Sequence, residues 1–108
     1  MSGLHIFISH SAKTDAAKTL LHGLSKLLNK HGHRVLLDQD GLSPGKNWYN
    51  ILNWWMNNCD TALVLLSKDA LKSKFVAYEV SILTYRLRTN PKFRLFPILV
   101  PGEIITRQ

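Results

Sequence analysis

Four short apolar runs, each separated from the next by an amphipathic stretch of helical period, constrain this chain more than any other feature. The runs are HIFIS (5–9), RVLLD (34–38), TALVLLS (61–67) and FRLFPILV (93–100). They are continuously apolar instead of alternating, the mark of strands covered on both faces. Strand and helix patterns in alternation imply right-handed crossovers and a parallel, doubly wound α/β sheet of four strands with three helices between them.

The stretches between the runs carry ordinary helix signals. The first places Leu20, Leu21, Leu24, Leu27 and Leu28 on one face, with Thr14 as its cap, Asp15 in its first turn and Gly32 as its stop. DGLSPGK (40–46) is dense in Gly and Pro and reads as a loop. The helix after it carries Trp48, Ile51, Leu52, Trp55 and Cys59 on its apolar face. A third helix is expected over residues 73–87. No repeat, linker or low-complexity tract interrupts the pattern, so residues 1–108 read as one domain.

With 108 residues, 45% of them hydrophobic, the chain can bury one ordinary core. No apolar run approaches the roughly 20 residues of a membrane span, and MSGLHIFISH lacks the pattern of a signal peptide. Cys59 is the only cysteine, which suits a reducing cytoplasm. The net charge of +7 is uneven: from Ser67 onward there are eight basic residues and three acidic ones. A basic face suits a phosphate-bearing partner, and equally a merely solvated surface. No strand interleaves aromatic with basic residues, which argues against nucleic acid. The chain stops eight residues after the fourth run, where a doubly wound sheet would gain another element, so a trimmed domain or a fragment is expected.

In an open parallel sheet, ligands bind beyond the carboxyl ends of the strands. Three polar segments converge there: Ser9, His10, Ser11 and Lys13; the loop from Asp38 to Lys46; and the segment from Ser67 to Ser73. Neither the glycine fingerprint of dinucleotide-binding sheets nor the phosphate-binding loop of NTPases is present.

The third helix carries the sharpest signal. At about 100° per residue, Phe75, Val76, Val80, Ile82, Leu83 and Leu87 share an arc, and Glu79 falls near its middle. An acid aimed at a packed face is costly unless it is paired or opens into a cleft. Glu79 is therefore either a functional acid at the ligand edge or the partner of a lysine or of Arg86. Cys59 reads as a buried structural thiol before a nucleophile. His5, His22, His31 and His33 lack metal-ligand spacing, and no metal site is expected. Trp54 and Trp55 read as core or interface aromatics, and Asp38 and Asp40 as turn residues. Ser67 reads as a cap or strand end, and His10 as a possible substrate contact.

Taken in order, these segments resemble the TIR (Toll/interleukin-1 receptor) family. HIFISHSAKTD resembles the family's opening strand and loop. VLLDQDGLSPGKNW resembles its second strand and the following loop, with Pro-Gly and an aromatic residue. TALVLLSKDALKSKFVAYE resembles its third strand, LS turn and helix, where an aromatic residue precedes a glutamate by four positions. The resemblance covers nearly the whole chain, with two departures: Phe75 stands where tryptophan is common, and Val76 where cysteine is frequent. The family's usual last strand and helix are expected to be lacking.

The resemblance implies a flavodoxin-like fold and one of two functions, in immune or defence signalling. Many TIR domains cleave the nicotinamide–ribose bond of NAD⁺, giving nicotinamide and ADP-ribose or a cyclic isomer, through the glutamate that Glu79 matches. Others are scaffolds that act by TIR–TIR contact alone. On the enzyme reading NAD⁺ is a substrate and no cofactor is needed. Ser9, His10, Ser11, Lys13, Ser67 and Phe75 would line the pocket, Leu42, Pro44 and Trp48 would shape its wall, and self-association would complete it.

Overall fold

The computed structural model describes residues 3–11, 13–37 and 46–100, the side chains of residues 46–49 excepted. In chain order the elements are β1 (His5–Ser9), α1 (Asp15–Lys30), β2 (Arg34–Leu37), α2 (Lys46–Asn58), β3 (Thr61–Leu66), α3 (Lys68–Lys72), α4 (Lys74–Thr89) and β4 (Arg94–Leu99). The strands form one sheet in the order β2-β1-β3-β4, with every neighbouring pair parallel. This is the flavodoxin-like order, in which chain direction reverses its progress across the sheet between β1 and β3.

Each sheet face has its own core. On one face Phe7, Ala62 and Val64 pack with Leu52, Met56 and Cys59 of α2 and its end, and with Val76 and Leu83 of α4. On the other face Ile6, Ile8, Leu63 and Leu65 pack against Ala17 and Leu21 of α1. The expectation of strands covered on both faces holds for the central strands and fails for the edge ones. Phe7 and Ile8 of β1 are fully buried, whereas β4 exposes half of Phe96 and more of Leu99. An edge strand has a neighbour on one side only, so its side chains meet fewer packing partners.

Local signals explain most boundaries. Thr14 caps α1, its side chain accepting from the Ala17 backbone N–H, and Lys30 lies in the last turn. Gly32 follows with φ of 87°, a left-handed conformation that glycine adopts without steric cost, and its N–H bonds the Asn29 carbonyl. The structure has four helices among the described residues where the periodicity predicts three. The extra one, α3, occupies a stretch read as a loop and begins at Ser67, whose Oγ accepts from the Ala70 N–H. Five residues cannot display a 3.6-residue period, which is why the pattern misses it. Ser73 then ends α3 and caps α4, accepting from the Val76 N–H.

The expected apolar face of α1 holds except at Leu27, and that of α2 is turned by one position toward Met56. In α1 Leu21 is buried while Leu27 is half exposed, and in α2 Leu52 and Met56 are buried while Ile51 is half exposed. Trp55 packs partly against the core. Trp54 is half exposed and meets His5 and Trp55 edge-on, with ring centroids 5.9 Å apart in both pairs.

Candidate functional site

Glu79 lies in the buried stripe of α4, between Val76 and Leu83, and is fully inaccessible. Its neighbours follow from the topology. A helix crossing back over a parallel sheet starts at the carboxyl ends of the strands, so the second turn of α4 stands beside the end of β1. There Ser9, the last residue of β1, donates its Oγ hydrogen to Oε1 of Glu79. Ser9 is itself fully buried, so donor and acceptor meet away from bulk water.

Arg86, the alternative partner suggested by its place two turns along the same stripe, is directed elsewhere. Its Nη1 donates to the carbonyls of Met56 at 3.0 Å and Cys59 at 2.8 Å, and its guanidinium lies 4.2 Å from the centre of the Phe93 ring. Arg86 thus binds the carbonyl end of α2, a place where cations are favoured. Arginine at the end of an apolar helical stripe, followed by a short turn, is the only sequence signal of this role.

The remaining loops come together around β1 and β3. Ser67 follows β3 directly, is fully buried, and donates its Oγ hydrogen to the Ser11 carbonyl at 2.9 Å. This bond ties the exit of β3 to the exit of β1. The same hydroxyl oxygen caps α3, so one side chain fixes two segments of the ligand edge. His10 is buried and Ser11 half-buried in the same loop, while Lys13 is exposed. Phe75 is half-buried against the core cluster of that face. Leu42, Pro44, Asp38 and Asp40 lie outside the described residues, as does the side chain of Trp48.

Cys59 is buried at the end of α2, where the sequence places a structural thiol. Burial pushes its thiol up to about 11, against the opposing pull of Arg86, whose Nη1 lies 3.4 Å from Sγ. A thiol held protonated is a poor nucleophile, so its position and chemistry agree.

The arrangement is an acid walled in at the strands' carboxyl edge, at the point where β1 and β3 diverge to different neighbours. The Ser9 hydroxyl bonds it, and the Ser67 hydroxyl and the His10 imidazole belong to segments at the same edge. In open parallel sheets ligands bind beyond this edge.

Known proteins bear on this geometry. The family model for the TIR domain matches residues 6–107. No curated protein matches the chain by sequence. Among solved structures, the TIR domains of the activated Roq1 resistosome, which directly recognises the pathogen effector XopQ, superpose with a TM-score of 0.72 at 21% identity. That match covers 90% of this chain and 57% of the other. A prokaryotic SEFIR domain gives a TM-score of 0.53 at 24% identity, over 86% of this chain and 66% of the other. The chain therefore spans less than two thirds of either solved chain, and both likenesses speak for the fold alone. Among the described residues no helix is long and apolar enough to cross a membrane. The family match covers almost every residue of the sequence and the sheet order fits it: the chain belongs to the TIR domain family.

Proposed function

We propose that this chain is an NAD⁺-cleaving TIR domain, with Glu79 as the catalytic acid residue and self-association as the activating step. The observation that carries the reading is the Ser9–Glu79 hydrogen bond, which fixes a fully buried carboxyl group at the edge where the fold receives ligands.

The bond to be broken joins the anomeric ribose carbon to the nicotinamide nitrogen. As it breaks, its electron pair leaves with nicotinamide, and the ribosyl carbon develops oxocarbenium character. A carboxylate beside that carbon stabilises the developing positive charge. Water then adds to the carbon and loses a proton, giving ADP-ribose, or a hydroxyl of the same molecule adds and gives a cyclic isomer. Ser9 now donates to Glu79; a ribose hydroxyl entering the site would take over that donation. His10, Ser11 and Ser67 would hold the sugar and its phosphates, and Lys13 would meet the phosphates from the exposed rim. Phe75, Leu42, Pro44 and Trp48 would supply the apolar wall against nicotinamide.

Incubation of the protein with NAD⁺ at rising protein concentration tests the reading. Nicotinamide release should climb faster than in proportion to concentration, and Glu79→Ala should abolish it. Equal release by both proteins, at the uncatalysed rate, contradicts it.

A second reading is favoured by the same burial. A carboxyl group sealed at 0% exposure and held by a neighbouring hydroxyl also fits a structural acid in a scaffold that works by TIR–TIR contact. That reading requires Glu79→Gln to leave partner assembly and signalling intact while Pro44 substitutions abolish them.

A further inference from the structure

At the amino-terminal edge of the sheet, opposite Glu79, a cavity of about 370 Å³ opens between the ends of α2 and α4 and the starts of β3 and β4. Its walls include Asn57, Asn58, Asp60, Arg86, Lys92 and Phe93. The volume falls in the range of small-molecule sites. Nothing in the TIR reaction proposed above uses this edge.

The charged groups are arranged unequally. Arg86 is held on two sides, by the carbonyls of Met56 and Cys59 through Nη1 and by the face of the Phe93 ring 4.2 Å away. Its Nη2 and Nε make no hydrogen bond to the described residues, so a fixed guanidinium retains unspent donors beside an open volume. A planar fork already ordered by its own contacts loses little freedom when it takes an oxyanion. Lys92 adds an exposed ammonium on the same wall. Among the described residues the one carboxylate of the lining, Asp60, is turned to β1: its Oδ2 accepts from the His5 N–H at 2.8 Å and lies 3.8 Å from His5 Nδ1.

The neutral wall has a complementary character. Asn57 and Asn58 each send their side-chain N–H back to a carbonyl one turn earlier, of Asn53 and Trp54, both at 2.8 Å. One hydrogen of each amide is engaged in this way; the second N–H remains a donor and the amide oxygen an acceptor for hydroxyl groups. Oxyanion donors and hydroxyl-binding amides on one lining suit a ligand that carries both groups.

We infer that this cavity is a binding site for a small phosphorylated polyol, a sugar phosphate, whose phosphate sits against Arg86 and Lys92 and whose hydroxyls meet Asn57 and Asn58. The site is separate from the NAD⁺ reading and does not depend on it.

Titration of the isotope-labelled protein with ribose 5-phosphate, inorganic phosphate and ribose, at fixed salt of about 0.1 M and followed by NMR, tests the inference. Ribose 5-phosphate should give saturable shifts at the side-chain amides of Asn57 and Asn58, about tenfold tighter than inorganic phosphate, and ribose should not saturate. Lys92→Gln, at an exposed position whose loss leaves the fold intact, should weaken ribose 5-phosphate about tenfold, the loss of one charge-assisted contact. Three results each overturn the inference: ribose binding as well as its phosphate, inorganic phosphate binding as tightly as ribose 5-phosphate, or non-saturating shifts spread over the basic surface and unchanged in Lys92→Gln.

Discussion

Ser9 and Glu79, seventy positions apart in the chain, are hydrogen-bond partners, hydroxyl to carboxyl, and both are fully buried. Only the packing of α4, on the crossover from β3 to β4, against β1 brings them together. The bond is the clearest point at which the fold and the proposed chemistry meet, and removing the hydroxyl tests its structural share. Ser9→Ala takes one donor from a buried acid and is expected to cost about 1–3 kcal/mol in urea unfolding. A change near zero would mean that the bond contributes nothing to holding the acid.

Ser67 joins two loops through one oxygen. Ser67→Ala removes both the α3 cap and the donor to the Ser11 carbonyl. The expected loss is about 1–2 kcal/mol of stability, with faster hydrogen exchange at Ala70 and in the loop after β1.

Arg86 is a structural cation. Arg86→Met keeps the apolar stem and removes the bonds to the Met56 and Cys59 carbonyls and the stacking on Phe93. A loss of about 2–4 kcal/mol is expected from the same unfolding measurement. Arg86→Lys should recover part of it, because an ammonium reaches a carbonyl but does not stack as a plane.

Cys59 gives the fold a pH dependence of known sign. Its thiol is raised from 9.0 to about 11, so the folded chain keeps a proton that the unfolded chain loses. Where the unfolded state binds fewer protons, stability falls as pH rises. The stability is fully present below about pH 8 and is lost through the window between 9 and 11, a loss of the order of 2 kcal/mol at its upper end. Comparing the pH slopes of unfolding for wild type and Cys59→Ala isolates it, and the variant should have the flatter slope. The native thiol should also resist alkylation at neutral pH.

The sheet is legible from continuous apolar runs set between helical stretches, and the inward acid from helical periodicity. Glu79 falls on the arc shared by Val76 and Leu83, and the structure buries all three. Thr14 and Gly32 were legible as helix signals because their chemistry is local. Three features were not. The short α3 has too few turns to show a period. The exposure of Phe96 and Leu99 depends on β4 lying at the sheet's edge, and strand order is not written in any one strand's composition. The role of Arg86 depends on where α2 ends relative to α4, a long-range relation that two separately amphipathic helices do not encode. The Ser9–Glu79 bond belongs to the same class: each residue was a candidate alone, and their pairing needed the fold.

The most direct measurement is the rate of nicotinamide formation from NAD⁺ by the assembled protein and by Glu79→Gln, with unfolding curves to show that the variant is folded. The account predicts steady turnover by wild type and a fall of at least about 10²-fold in the variant, as expected when a transition-state electrostatic partner is lost. A folded Glu79→Gln protein that matches wild-type turnover would contradict it.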